Sequence, residues 1–147
     1  MSNIVEKEKR FIEAFGEWCR AVGGHYIQED DGKGICRLYS GKNEDWPEVV
    51  VYPSSRYSPA TIEIEGSWRL DSPSAKIYVP FDEEVEWRVN KDKKTLEIRI
   101  NDGETEKVIV FEHHSSYLTQ VLHIDISIND TRTVAMRIPT HLKNSII

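Results

Sequence analysis

Hydrophobic positions near the start of the chain recur every three or four residues. The apolar residues at this spacing are Ile4, Phe11, Ile12, Phe15, Trp18, Cys19 and Val22. This is the period of an amphipathic helix that buries one face. Asn3 and Glu6 can form a capping pair at its start, and Gly23-Gly24 supplies a left-handed end. We therefore predict a single helix over residues 3–22.

After Gly24 the hydrophobic period changes to two, which is the period of β-strands. Turn residues separate the alternating runs, which predict about ten strands at 25–30, 34–40, 48–52, 61–69, 75–81, 85–90, 95–100, 105–112, 118–128 and 133–138. Connections between the runs are short, so we expect neighbours along the chain to pair as antiparallel hairpins. The chain after residue 138 is predicted to be a short C-terminal tail.

The register of one hairpin can be predicted from its residues. Pairing Val89 with Leu96 and continuing outward, Trp87 with Ile98 and Val85 with Ile100, puts all six apolar side chains on one face. The other face then sets Arg88 against Glu97 and Glu86 against Arg99, two pairs of opposite charge. A slip of one residue would bury the charges, so this register is strongly specified.

These elements predict a mainly β (α+β) fold in which a meander of antiparallel strands forms a sheet or sandwich packed by the N-terminal helix. The alternative is a closed β-barrel with the helix as a lid. No composition shift or linker divides the chain, so residues 1–147 are expected to form a single domain.

Charge and composition narrow the possible partners. The formal net charge is -6 and no long run of Lys or Arg occurs, so nucleic-acid binding is not expected. No stretch approaches the roughly 20 apolar residues of a membrane span, and residues 6–10 are all charged instead of forming a hydrophobic signal core, so we expect a cytoplasmic protein. Two Gln and abundant Ile, Val, Glu, Lys and Arg are typical of a thermophile. Nothing in the chain predicts a cofactor.

Histidines supply the candidate catalytic residues. His123 and Asp125 are two residues apart on one predicted strand and therefore share a face, and an acid-base or two-ligand site would need partners from another strand, for which Glu63 and Glu65 are the candidates. Placing His113 and His114 at the tip of a loop would separate them from His123 by roughly 30 Å, so no metal site is predicted. A hydrogen-bonded pair on a solvated face is the simpler interpretation of His123 and Asp125.

The two cysteines are not spaced like metal ligands or a redox motif. Cys19 lies on the apolar face of the helix, and Cys36 lies on the same side of its strand as Leu38. Packing the helix on the first hairpin could bring the two sulfurs together as a disulfide. Closing that loop of roughly 17 residues would stabilise the fold by about 3 kcal/mol.

A loop rich in Ser and Pro supplies the candidate binding residues. Tyr52, Arg56 and Tyr57 lie in or beside the 52–59 segment, with Trp46 upstream, and Tyr and Arg are enriched where proteins bind one another. The simpler interpretation is that these aromatic rings pack the loop onto the sheet.

No catalytic motif or family signature was found in the chain. The leading hypothesis is therefore a non-enzymatic binding or protein-interaction module that engages a protein partner, or a second copy of itself, through the 52–59 loop or a sheet edge. One alternative is a small-ligand carrier whose barrel or half-barrel cavity is lined by Trp68, Trp87 and Phe111. The other is a metal-dependent hydrolase that uses His123 and Asp125.

Overall fold

The computed structural model describes residues 2–40, 47–65 and 75–142. One helix, α1 (Ser2–Ala21), precedes ten strands. The strands are β1 (His25–Gln28), β2 (Gly34–Arg37), β3 (Glu48–Tyr52), β4 (Ala60–Glu65), β5 (Ala75–Val79), β6 (Glu84–Asn90), β7 (Thr95–Asn101), β8 (Glu106–Ser115), β9 (Gln120–Ile128) and β10 (Thr131–Pro139). The predicted mainly β fold with one N-terminal helix is confirmed.

The strands form two antiparallel sheets of five strands each. One sheet has the order β1-β2-β3-β4-β5 and the other has the order β10-β9-β8-β7-β6, so each follows the chain as a meander. Among the described residues neither sheet closes on itself, and the closed-barrel alternative is therefore wrong. Within each sheet every strand pairs with its neighbour in the chain, as sequential strands usually do, and the chain passes from one sheet to the other between β5 and β6.

The register predicted for the β6–β7 hairpin is confirmed. Val89 pairs with Leu96, and the charged positions Arg88 and Glu86 face Glu97 and Arg99. The Arg88 guanidinium lies 3.3 Å from the Glu97 carboxylate. Arg99 pairs with Glu97 and Glu106 instead of Glu86, at 3.1 and 3.2 Å.

The helix packs against both sheets and the space between them is filled. Trp18 is fully buried, and its indole Nε1–H donates to the Lys94 carbonyl at 3.0 Å in the turn between β6 and β7. Phe11 packs against Phe81 and Trp87, while Phe15 packs against Tyr26 of β1. These rings join the helix and the inner faces of both sheets in one hydrophobic core.

The helix is also joined to the first sheet covalently. Cys19 and Cys36 form a disulfide with their Cα atoms 5.7 Å apart. Both cysteines are fully buried, as expected for residues on the apolar face of α1 and the inner face of β2. Gly24 lies against this disulfide, because a Cβ there would be 2.9 Å from each sulfur. Glycine is therefore required at the end of the helix for a reason of space.

Two strand boundaries differ from prediction in a way that matters for the histidines. β8 continues to Ser115 and β9 begins at Gln120, so the hairpin turn is shorter than predicted. Ser116 stabilises this tight turn by bonding Thr119 through its backbone N–H and its hydroxyl. The predicted end of β4 beyond Glu65 lies outside the described residues.

The segment after β10 is held across the end of the core. Gln120 bonds the backbone of Leu142 through both ends of its amide, at 2.6 and 3.3 Å. The backbone of His141 bonds the Leu38 carbonyl at 3.0 Å, so this segment touches both sheets. Part of the predicted C-terminal tail is therefore integrated into the fold.

Candidate binding groove beside the N-terminal helix

Three adjoining concave surfaces line the first half of α1. Ile4, Phe81 and Asp82 belong to both the first and the second surface, and Lys7 and Arg10 belong to both the second and the third. The surfaces enclose about 460, 470 and 490 Å³, respectively. Because they share lining residues, the three surfaces adjoin one another along the helix, and together we call them the helix groove.

One end of the helix groove is acidic. Glu8, Asp82 and Glu83 line it, and Arg56 is the basic residue beside them. Glu8 is 7% exposed, and its Oε1 accepts a hydrogen bond of 3.1 Å from the Ser54 backbone N–H. Its Oε2 is enclosed and has no hydrogen-bond partner among the described residues.

A tight turn carries two of the predicted binding residues to this acidic end. The Ser55 backbone N–H bonds the Ser58 carbonyl at 2.9 Å, which places Arg56 and Tyr57 at the tip. Both line the groove, and the Tyr57 side chain is 88% exposed. Since Tyr57 is almost fully exposed, its ring does not serve to pack the loop onto the sheet.

The other two predicted binding residues are not part of this groove as the structure describes it. Tyr52 belongs to β3, where its hydroxyl donates to the Glu65 carboxylate and Lys33 lies over its ring. Burial and the bond to Glu65 raise the pKa of Tyr52. Trp46 lies outside the described residues.

The opposite end of the helix groove is rich in basic residues. Its lining contains Lys7 and Arg10 of α1, and Glu86, Trp87, Arg88, Glu97 and Arg99 of the second sheet, so four basic residues outnumber two acidic ones. Arg88 and Arg99 are paired with glutamates, whereas Lys7 and Arg10 have no ion-pair partner among the described residues. Two unneutralised cations beside an aromatic ring are suited to bind an anionic group.

The basic end also follows the edge of a sheet. β6 is the last strand in its sheet, and four consecutive residues of it, 85–88, line the groove. Consecutive residues point to opposite faces of a strand, so a surface lined by all four runs along its edge. Among the described residues no strand pairs with that edge, so its outward backbone groups have no strand partner.

The predicted separation of the histidines is wrong. Pairing of β8 with β9 sets Glu112 opposite His123, and the rings of His114 and His123 lie 4.6 Å apart. His114 also forms an ion pair with Glu112. The error came from placing His113 and His114 in a loop, whereas they are strand residues that fold back beside β9.

His123 and Asp125 lie on the outer face of the second sheet. Partial burial lowers the pKa of His123, and the neighbouring His114 and Arg137 lower it further. Asp125 lies 3.8 Å from the Arg132 guanidinium. Within the described part of the chain, no three His, Cys, Asp or Glu side chains converge to hold a metal ion.

Glu63 and Glu65 do not join that patch. They lie on β4 in the first sheet, while His123 lies on β9 in the second, and the alternating β4 residues Ile62 and Ile64 are buried in the core. The two glutamates therefore face outward on the opposite side of the molecule.

Sequence reasoning did not single out Glu8, Lys7 or Arg10. Charged residues at this spacing occur on the solvent-exposed face of most helices, so the pattern alone does not indicate a binding site. Their role depends on the 52–59 loop and on β6, which are distant in sequence. A carboxylate at the margin of an apolar stripe was the one available signal for Glu8.

Comparison of the chain with known proteins found no match. No family model matches the chain, no curated protein matches it, and no solved structure matches its fold. None of the described helices is long and apolar enough to cross a membrane.

Proposed function

We propose that this protein is a non-enzymatic binding module that takes an extended segment of a protein partner into the helix groove. The observation that carries the proposal is the run of adjoining surfaces from the exposed Arg56–Tyr57 turn to the unpaired edge of β6. The groove thus combines an aromatic and arginine tip, unneutralised charges and an unpaired strand edge, the features by which proteins recognise extended peptides.

The edge of β6 favours an extended ligand over a compact one. A peptide that adds to a sheet edge gains backbone hydrogen bonds, while its alternate side chains enter the flanking depressions. Here the flanking side chains at the basic end are Lys7 and Arg10. We therefore expect the bound segment to carry acidic residues where it follows β6.

The packed interior favours a surface site over an internal cavity. Phe111, which was predicted to line a carrier cavity, is fully buried in the core against Trp18. Trp87 lies between the core and the groove, and Trp68 lies outside the described residues. The small-ligand carrier is therefore a weaker proposal than the peptide-binding module.

The hydrolase alternative has less support than either. His123 and Asp125 lie on an open sheet face, where Arg132 and Arg137 are their neighbours. Activation of a metal-bound water needs a metal held by several ligands, and none of the described side chains form such a set.

A linear peptide library displayed on phage and selected on the whole protein tests the proposal. We expect selected sequences to alternate β-forming and acidic residues. The dissociation constant of a selected peptide should rise at least tenfold in the double variant Lys7→Glu, Arg10→Glu, which corresponds to about 1.4 kcal/mol of binding free energy. Added salt should weaken binding to the native protein more than to this variant.

Two matched controls separate a groove effect from a general one. Lys91→Glu with Lys93→Glu reverses the same charge in the exposed turn after β6, away from the groove, and should leave binding unchanged. Alanine at Arg56 and Tyr57 should weaken binding, whereas Tyr52→Phe should not. Selection of no peptide, or equal affinity in both charge-reversed proteins, would mean that the groove is not the binding site.

A further inference from the structure

The Glu8 carboxylate is under-bonded for a buried group. It is 7% exposed, and a single hydrogen bond, from the Ser54 backbone N–H to Oε1, accounts for its contacts among the described residues. An ionised carboxylate has four lone pairs, and burying one without hydrogen bonds is strongly unfavourable. Buried polar groups without partners are rare in native proteins and require an explanation.

The fold itself uses only half of this carboxylate. The bond from Ser54 fastens the 52–59 loop to α1 and needs one acceptor oxygen, which an uncharged glutamine would also supply. The negative charge and Oε2 have no role in that bond. A glutamate at this position is therefore better explained if a group of a ligand binds the unpaired oxygen and its charge.

The residues around Glu8 indicate whether the ligand group is positively or negatively charged. Asp82 and Glu83 line the same end of the helix groove and are exposed, without ion-pair partners among the described residues. The basic residue of the lining, Arg56, is exposed at the tip of its turn and forms no ion pair with Glu8. This end of the groove therefore attracts a cation.

The geometry points to Glu8 as the docking point for an ammonium or guanidinium group that belongs to a basic side chain of the ligand. Such a group supplies N–H donors to the unpaired oxygen and neutralises the buried charge. A metal ion is disfavoured, because the described side chains place no three ligands together. To reach Oε2 the cation displaces the turn around Ser54, which one hydrogen bond holds to Glu8.

This inference deepens the proposed function and, for the ligand's overall pattern, rests on it. Lys7 and Arg10 lie one turn of helix or less from Glu8, at the part of the groove that continues to β6. A segment bound along the groove would place a basic residue at Glu8 and acidic residues beside β6. The groove would thereby fix the direction of the bound chain.

Titration of the ¹⁵N-labelled protein with n-butylammonium chloride tests the cation site without a peptide. We expect a saturable shift of the Ser54 amide signal, because its N–H bonds the carboxylate that receives the cation. Glu8→Gln keeps an acceptor for Ser54 and should weaken this binding at least tenfold. Glu17→Gln removes an exposed carboxylate from the same helix outside the groove and should bind like the native protein.

A second variant keeps the test decisive if Glu8→Gln fails to fold. Asp82→Asn with Glu83→Gln changes two exposed side chains and should weaken n-butylammonium binding about threefold. n-Butanol, which has the same apolar chain without the charge, should leave the Ser54 signal in place. The inference is wrong if n-butylammonium does not shift that signal in the native protein, or shifts it equally in Glu8→Gln.

The two proposals fail separately. If n-butylammonium binds at Glu8 but the library yields no peptide, the cation site stands and the proposed function does not. If acidic peptides bind through Lys7 and Arg10 while Glu8→Gln leaves every affinity unchanged, the proposed function stands and the cation site does not. If both stand, replacing the basic residue of a selected peptide by norleucine should weaken binding to the native protein and not to Glu8→Gln.

Discussion

The ring of His113 lies in the core with its Nε2 2.8 Å from the Thr140 hydroxyl, which ties β8 to the segment after β10. Both residues are buried, and the Nδ1 of the ring has no hydrogen-bond partner among the described residues. Burial, assisted by the positive charges of Lys94 and His114, lowers the pKa of His113 to about 4. The folded protein therefore holds this histidine in its neutral form.

Acid should destabilise the protein through His113. In the unfolded chain a histidine has a pKa of about 6.5, so the unfolded state binds the proton first as the pH falls. The stability due to the neutral ring is complete above about pH 6.5, is lost between there and pH 4, and reaches about 3 kcal/mol in total. Urea unfolding at a series of pH values measures this loss.

A pair of variants assigns that loss to one residue. His113→Gln keeps a polar group that can reach Thr140 and does not titrate, so its free energy of unfolding should depend less steeply on pH between 4 and 6.5. His25→Gln, at an exposed position of β1, should retain the native slope. Equal slopes in all three proteins would show that other groups cause the acid sensitivity.

Removal of the disulfide should destabilise the protein by about 3 kcal/mol. The Cys19–Cys36 bond closes a loop across a sequence separation of 17, and its loss frees the unfolded chain. Unfolding of the double variant Cys19→Ala, Cys36→Ala in urea measures the effect. Dithiothreitol should lower the midpoint of the native protein and leave that of the variant unchanged, and an identical midpoint in both proteins would contradict the prediction.

Asp130→Gly should stabilise the turn between β9 and β10. Asn129 and Asp130 both have positive φ, 50° and 67°, as a two-residue primed turn requires. Glycine adopts this conformation without the steric cost of a Cβ, so we expect a gain of about 0.5 kcal/mol in the free energy of unfolding. Thermal unfolding followed by circular dichroism would detect the gain.

The neighbouring position is the control for that turn. The Asn129 side chain accepts a hydrogen bond of 2.9 Å from the Glu106 backbone N–H. Asn129→Gly removes the same steric cost of a Cβ at positive φ but also loses this hydrogen bond, so this variant should be less stable than Asp130→Gly. The opposite order would mean that the side-chain bond contributes less than the backbone conformation.

The hairpin tip between β8 and β9 should tolerate polar substitution. Tyr117 and Leu118 are each 85% exposed, so the fold gains little from burying them. The turn depends instead on the bonds between Ser116 and Thr119. Tyr117→Ser with Leu118→Ser should change the free energy of unfolding by less than about 0.5 kcal/mol, whereas Ser116→Ala should cost about 1 kcal/mol.

Local patterns determine much of this fold. The spacing of Phe11, Phe15 and Trp18 predicts the helix, and period-two alternation predicts all ten strands and the β6–β7 register. These features depend on residues that are close in sequence, where the helical and strand periods apply directly. The pairing of sequential strands was expected from the chain order, whereas the change of sheet between β5 and β6 was not.

The candidate site depends on relationships that no local pattern contains. The buried Glu8 carboxylate accepts its hydrogen bond from the backbone of Ser54, 46 positions away. The proximity of His114 to His123 required a correct placement of the β8–β9 turn, and an error of a few residues there reversed the conclusion. Binding sites were thus less predictable than strands because they form where distant elements meet.

The bond between Trp18 and Lys94 has a consequence for synthesis of the chain on the ribosome. The two residues are 76 positions apart, so at 5–20 residues per second the helix waits roughly 4–15 s before its partner is made. Throughout that interval the apolar face that carries Trp18 is without the second sheet. The helix can therefore complete its packing only after β6 and β7 have been synthesised.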